Sequence, residues 1–289
     1  MEILVTDKLE EYELLDSGEG EKLERFGRLV LRRPENQAIW KKGLPAEMWD
    51  KASATFTHGE KSGRWKKESE VEEEWKMNFS GFKFNLTLLP SKHVGVFPEQ
   101  SQNWKWLEEK IKNANHPIKV LNLFANTGGA TLACCKANAE VVHLDSSKFS
   151  IDFAKKNLKI NGMEDAKVRF IIDDARKFVE REIKRGGKYD VIILDPPIYG
   201  KGGKGEVWKI EKDLLPLVVR LREVLSNNPV AILLNGYSSI YSSLSYAQIL
   251  SNLNSGLGGV TVFGELCIKE SSKERLLSSG IFARWSKEK

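Results

Sequence analysis

From residue 118 onward the chain alternates short apolar segments with amphipathic ones, and this alternation limits the fold more than any other feature. IKVLNLF, EVVHLD, KVRFII, YDVIILD and PVAILLNG each read as a strand. Between them, GGATLACCKAN, SKFSIDFAKKNLKING, DARKFVEREIKRG and LLPLVVRLREVLSN read as helices, the second of them closing on a glycine stop. The runs VIIL at 191–194 and VAILL at 230–234 carry no polar residue, which suits strands covered on both faces. Strands joined by helices pair in parallel with right-handed crossovers. The expected fold is therefore α/β, a doubly wound, mostly parallel, Rossmann-like sheet. GVTVFGELCI and GIFARWS are expected to add a final pair of strands. Ligands in such folds sit beyond the carboxyl ends of the strands, so the residues just after each strand matter most.

Before residue 100 the pattern differs. ERFGRLVLRR, NQAIW and a pair of strands, WKMNF and FKFNLTLL, around Ser80-Gly81 suggest a small strand-rich domain. The expected division is residues 1–100, with substrate presentation as a role, and residues 101–289 as the ligand-binding domain. Formal charge is uneven, −3 over residues 1–100 and +8 over residues 101–289. The basic half suits a polyanion, and it equally suits a lysine-rich solvated surface. The longest apolar runs are far too short to cross a bilayer, and the acidic start gives no expectation of a signal peptide. Three cysteines, two of them neighbours, rule out a disulfide scaffold and fit a reducing cytoplasm. Four scattered histidines without a Cys-x-x-Cys give no expectation of a metal site.

Each strand end carries a distinctive group. The first is followed by NLFANTGGATL, where Gly128 and Gly129 permit a sharp turn and close approach of a ligand to the free N–H groups of a helix start. The segment is neither G-x-G-x-x-G nor a phosphate-binding Gly-Lys-Ser/Thr loop. The second ends at Asp145, 17 residues beyond Gly128. A carboxylate there suits ribose hydroxyls, or it caps the helix entered through Ser146 and Ser147. The third is followed by Asp173-Asp174-Ala175, suited to an adenine amine or again to capping. The fourth ends in Asp195-Pro196-Pro197, a stiff turn with two N–H donors missing and an acidic side chain able to grip an amino group. Tyr199 is placed to stack on a base. Gly200, Lys201, Gly202, Gly203, Lys204 and Gly205 then suggest a mobile cationic loop.

This ordered set resembles the motifs of class I S-adenosylmethionine-dependent methyltransferases. NLFANTGGATLA, VVHLDSSK, AKKNLKING and DPPIYGKGGKGEVWK resemble, more narrowly, the bacterial group acting on 23S ribosomal RNA at cytosine carbon 5 or guanine nitrogen 7. HVGVFPEQSQNW resembles the segment preceding the first motif in that group, and the likeness covers roughly residues 92–285. The resemblance implies S-adenosyl-L-methionine as cofactor. It implies Phe124, Thr127, Gly128 and Gly129 around the methionine part, Asp145 with Ser146 at the ribose, and Asp174 with Ala175 at the adenine. It further implies Asp195, Pro196 and Pro197, with Tyr199, facing the methyl group and its acceptor, and Gln100 closing the pocket. Methylation at cytosine carbon 5 needs a thiolate after the fourth or fifth strand. Those places hold Ile198 and Asn235-Gly236-Tyr237, while Cys134 and Cys135 fall on the first helix of the alternating region. The expected reaction is therefore methyl transfer to a base nitrogen of ribosomal RNA. Transfer to a protein or small molecule, or a non-catalytic nucleoside- or RNA-binding module, stands as the alternative. The N-terminal part is not recognisable as the RNA-binding PUA domain of some relatives.

Overall fold

A computed structural model of the chain describes residues 1–58, 63–68, 71–203, 205–237 and 241–287. The chain divides into two compact units, one of Met1–Ile3, Gln102–Glu265 and Gly280–Lys289, the other of Leu4–Ser101 and Leu266–Ser279. Both units are thus discontinuous in sequence.

The first strand, β1 (Glu2–Thr6), is followed in the N-terminal unit by β2 (Tyr12–Gly18), β3 (Glu21–Phe26), β4 (Leu29–Pro34), the short helix α1 (Ala46–Asp50), β5 (Ala54–His58) and β6 (Gly63–Lys67). Strands β2 to β6 form one five-stranded sheet in sequence order. A separate hairpin, β7 (Trp75–Phe79) and β8 (Phe82–Leu86), turns at Ser80-Gly81 as the sequence suggests. Both turn residues have positive φ, 54° and 74°, the conformation two-residue hairpins require. This unit buries charge as well as apolar surface. Glu24, fully buried, accepts hydrogen bonds from Tyr12 and from both Nε and Nη2 of Arg33, so none of these polar groups is left without compensation.

The other unit carries the alternating pattern. After α2 (Ser101–Lys112) come β9 (Lys119–Leu123), α3 (Gly129–Lys136), β10 (Glu140–Asp145), α4 (Lys148–Ile160), β11 (Val168–Ile172), α5 (Ala175–Arg185) and β12 (Val191–Leu194). Two short strands follow, β13 (Tyr199–Lys201) and β14 (Val207–Lys209), then α6 (Ile210–Leu221), β15 (Ala231–Gly236), α7 (Ser243–Asn254), β16 (Val260–Lys269) and β17 (Leu276–Ser286). The main sheet has eight strands in the order β1-β16-β17-β15-β12-β9-β10-β11. Strands β11, β10, β9, β12 and β15 pair in parallel, and β17 joins β15 antiparallel. Strand order reverses between β9 and β12, which places a topological switch point there.

Alternation along the strands explains the layering. Leu121 and Leu123 of β9, with Ile192 and Leu194 of β12 and Ile232 and Leu234 of β15, join Phe178, Leu217, Tyr246 and Leu250 of α5, α6 and α7 in one buried core. Each fully buried leucine of this kind stabilises by about 1.5–3 kcal/mol. Asn122, pointing the other way, donates to Thr131 Oγ1 of α3 at 3.0 Å. Helices therefore cover both faces. The doubly wound, mostly parallel sheet expected from sequence is the fold observed.

Three features differ from the sequence reading. The glycine- and lysine-rich segment after Pro197, expected as a mobile loop, forms the antiparallel hairpin β13–β14, with Lys204 outside the described residues. Helix α7 is absent from the sequence reading, although Tyr246, Leu250 and Leu253 repeat at helical spacing and are all buried. Strand β1 lies in the main sheet, a pairing that local pattern does not reveal. Among the described residues no helix is long and apolar enough to cross a membrane.

Candidate active site

The register of the parallel strands fixes the site. Leu144, Leu123, Leu194 and Leu234 are partners across β10, β9, β12 and β15. The next residue on each strand is therefore Asp145, Phe124, Asp195 and Asn235, side by side along the carboxyl edge. Neighbouring strands lie about 4.8 Å apart, so Asp145 and Asp195 flank Phe124 at a span of roughly 10 Å. On β11, Ile172 partners Asp145, and Asp173 and Asp174 follow it.

The loop after β9 is tightly constrained. Phe124 (φ 58°) and Asn126 (φ 48°) are non-glycine residues in the left-handed region, and Gly128 (φ 93°) caps α3 in the same region. Such conformations persist only where surroundings enforce them. Here Asp145 does so, its Oδ2 accepting from the Asn126 N–H at 2.9 Å and its Oδ1 from the Ser147 N–H at 2.8 Å. Burial pushes the Asp145 carboxyl up, opposed by these backbone hydrogen bonds. Thr127 is buried, and its carbonyl accepts from Asn157 Nδ2 of α4 at 2.9 Å. Beneath the loop, His143 of β10 meets Thr131 Oγ1 at 2.8 Å, and burial lowers its imidazole to about 3, keeping it neutral.

The glycines are positions where a side chain has no room. A Cβ on Gly129 would lie 2.7 and 2.9 Å from Cε2 and Cη2 of the buried Trp104, and closer still to Cζ2. On Gly128 it would come within 3.1 Å of the Ala154 Cβ. Gly236, ending β15, likewise leaves space for the Tyr246 ring. Burial, and then the Asp195 carboxylate, push the Tyr246 phenol up. The Asp195 N–H donates to the Leu123 carbonyl, joining the β12 end to β9.

The other sequence-singled residues are placed as follows. Asp174 caps α5, accepting from the N–H groups of Arg176 and Lys177 at 2.9 and 3.3 Å. It also receives Arg176 Nε and Nη2 at 3.1 and 2.7 Å. Burial works to raise its carboxyl, but the Arg176 hydrogen bonds outweigh that and hold it below the usual carboxylate range. Its capping role is thus realised, and of these four bonds Oδ2 accepts one and Oδ1 three. Ala175 is buried and opens α5, whereas Ser146 is exposed beside Asp145. Pro196 is buried, Ile198 is 37% and Tyr199 52% exposed. Gln100 is buried at the end of the 3-10 turn Pro98–Gln100, in the N-terminal unit. Ser147, not Asp145, caps α4, its side chain accepting from the Ser150 N–H.

Two residues of this edge were not singled out by sequence. Arg176, which reads as an ordinary helix-surface cation, bridges Asp174 to Asp213, contacting Asp213 Oδ1 at 2.7 Å. Trp208, at the end of a glycine-rich run, is buried against Phe124 with ring centroids 4.8 Å apart. Their proximity to two motif segments was legible only once β13–β14 was known to fold back.

The residues fit an adenosine-bearing ligand with a carboxylate tail. A left-handed glycine and a side-chain-free helix start form a cradle, and the half-buried Asp145 carboxylate ends the next strand, level with Phe124. Comparison with known proteins agrees. A family model described as S-adenosylmethionine-dependent methyltransferase matches residues 56–238, more than half of the chain. A crystal structure of a SAM-dependent methyltransferase from Agrobacterium tumefaciens is 40% identical with a TM-score of 0.94, covering 99% of this chain and 94% of that one. Ribosomal RNA large subunit methyltransferase K/L of Shewanella frigidimarina is 30% identical over 190 residues, 65% of this chain and 25% of that protein. Ribosomal RNA large subunit methyltransferase I of Salmonella arizonae is 31% identical over 176 residues, 60% of this chain and 41% of that protein. The chain thus spans under half the length of these two relatives. With the sheet order, the strand-end carboxylates and these likenesses together, the chain belongs to the S-adenosylmethionine-dependent methyltransferase family.

Proposed function

We propose that the chain transfers a methyl group from S-adenosylmethionine to a nitrogen of a base in ribosomal RNA. The observation that carries this reading is the level alignment of Asp145, Phe124 and Asp195 on adjacent strand ends, with the Asp195-Pro196-Pro197 turn at the switch point. When bound, S-adenosylmethionine supplies an activated methyl group on a sulfonium, so the protein's main work is alignment. Proximity and orientation of this kind are worth about 7–11 kcal/mol in favourable cases.

In this reading Asp145, whose carboxylate already accepts from the backbone N–H groups of Asn126, Ser146 and Ser147, accepts the ribose hydroxyls on what remains of its lone pairs. Asp174 receives the adenine amine on its remaining Oδ2 lone pair, with Ala175 and Ser146 beside the two carboxylates. Phe124, Thr127, Gly128 and Gly129 enclose the amino-acid end. Asp195 accepts a hydrogen bond from the acceptor's amino group, Pro196 and Pro197 present rigid carbonyls, and the half-exposed ring of Tyr199 stacks on the acceptor base.

A base nitrogen is favoured over cytosine carbon 5 by the thiols. Cys134 and Cys135 lie buried on α3 and Cys267 lies buried on β16, none of them in the segment directly following β12 or β15. Burial pushes the Cys134 thiol up and that of Cys135 to about 12, so neither forms a thiolate near neutral pH. Ribosomal RNA is favoured over other acceptors by the names of the matched relatives. The free thiols fit a cytoplasmic setting, and the N-terminal unit, residues 1–100 in the main, is read as presenting the substrate.

The test is transfer of labelled methyl from S-adenosylmethionine to total RNA and total protein from a strain lacking the gene. Label in ribosomal RNA that disappears with Asp195→Ala is the expected result. Label in protein alone, or in RNA with Asp195→Ala unaffected, overturns the reading.

A further inference from the structure

We infer that Trp208 is a positioning residue that locks the Asp195-Pro196-Pro197 turn to the glycine-bearing loop after β9 and, through Arg176, to Asp174. This inference rests on the methyl-transfer reading above.

The turn has a physical need for such a lock. Pro196 and Pro197 bring no N–H groups, so the turn has fewer backbone donors with which to close on itself. The Pro197 carbonyl is instead held by the indole Nε1–H of Trp208 at 2.7 Å, a residue eleven positions on. The hairpin makes the return, with Gly200 paired to Trp208 and the Ile210 N–H bound to the Ile198 carbonyl at 3.0 Å. Trp208 is 5% exposed, so its single donor needs that partner.

The same ring serves the neighbouring segments. One contact is with Phe124, at 4.8 Å between centroids and 59° between planes. Phe124 holds a left-handed conformation that a benzyl side chain rarely adopts, and Trp208 is the aromatic wall against it. The Arg176 guanidinium lies over the indole at 5.8 Å while gripping Asp174 with Nε and Nη2. Its Nη1 reaches Asp213 Oδ1, and Asp213 Oδ2 accepts from the Lys209 N–H at 2.7 Å, next in chain to Trp208. The contacts form a closed ring through Trp208, Lys209, Asp213 and Arg176. A closed ring moves as one body, so the groups proposed to face adenine, methionine and acceptor keep their spacing.

A residue that only fills the core would lower stability and loosen every step alike. A lock on the Pro197 carbonyl separates them. Trp208→Phe keeps an aromatic face for Phe124 and Arg176 but removes the donor. The full-length variant is expected to bind S-adenosylhomocysteine within twofold of the wild type by calorimetry. It is expected to keep its KM for total RNA within threefold and to lose kcat by roughly tenfold, the scale of one lost buried hydrogen bond. Trp208→Leu, losing ring and donor, is expected to weaken S-adenosylhomocysteine binding at least fivefold as well. A Trp208→Phe kcat within twofold of the wild type overturns the inference. So does a loss of S-adenosylhomocysteine affinity as large as the loss in kcat. Should Trp208→Phe not fold, Arg176→Gln, at a half-exposed position, is the second variant. It is expected to weaken S-adenosylhomocysteine binding at least threefold, and unchanged binding there overturns the inference. If the wild type labels no RNA, the proposed function has failed, and the calorimetric arms on Trp208→Leu and Arg176→Gln still decide the lock.

Discussion

Gly129→Ala separates folding from ligand binding at the cradle. Gly129 is the first residue of α3 and has no positive φ, so alanine suits its backbone and even gains about 1 kcal/mol of helix propensity. The obstacle is space. The new methyl would stand 2.7 and 2.9 Å from Cε2 and Cη2 of Trp104, where carbon contacts settle at about 3.5–4.0 Å. Ring or helix start must therefore yield by roughly 1 Å, and Trp104 is buried and cannot swing into solvent. Overpacking of this kind costs about 1–3 kcal/mol. Net of the propensity gain, the variant should lose about 0–2 kcal/mol, a fall in Tm of at most about 8 °C for a unit of this size. Binding should suffer more, because the displaced N–H groups are those proposed to face the ligand. The expected outcome is a Kd for S-adenosylhomocysteine raised at least tenfold by calorimetry, with cooperative unfolding intact. Trp104→Leu in the same chain removes the obstructing ring carbons and should recover part of the affinity, a coupling that a double-mutant cycle reads directly. Wild-type affinity in Gly129→Ala would refute the argument that this glycine exists for close packing at the cradle.

Two pH effects follow from buried groups. His143 is neutral when folded, lowered to about 3 by burial, while the unfolded chain takes up its proton near 6.5. Its contribution is complete above pH 6.5 and is lost as pH falls toward 3, about 2 kcal/mol by pH 5; urea unfolding at pH 7, 6 and 5 should show a shallower acid limb in His143→Gln. Glu99 is raised to about 7 by burial, so the unfolded chain ionises it first, and stability falls as pH rises from 4.5 through 7. Glu99→Gln should therefore be the more stable protein at pH 8, by up to about 3 kcal/mol, and less distinguishable at pH 5; equal stability of the two at pH 8 would contradict the burial of an ionisable carboxyl there.

Much of this fold was legible because the parallel strands are short, wholly apolar and punctuated by the residues that carry function. VIIL before Asp195 and VAILL before Asn235 can be little else. Other elements depend on partners far away in sequence. Nothing in EILVT says that β1 pairs beside β16, more than 250 residues on. The helix at 243–254 has the right spacing in Tyr246, Leu250 and Leu253, but its serine-rich start reads as a loop. The hairpin after Pro197 hides in glycines and lysines because its cohesion comes from Trp208 reaching back to a carbonyl. At the site, the positions of Asp145 and Asp195 follow from strand ends. The state of Asp174 does not, since capping and ligand binding ask for the same residue, and only the Arg176 contacts show how its oxygens are spent.

Asp145, a half-buried acid at the tip of β10, is the group proposed to read the sugar of an adenosine donor. Titrating S-adenosylmethionine into the intact protein and into Asp145→Ala measures this most directly. Saturable one-to-one binding by the former, and a weakening of at least thirtyfold in the latter with its Tm within a few degrees, is what the account predicts. Equal heats from both proteins, or none from either, would contradict it.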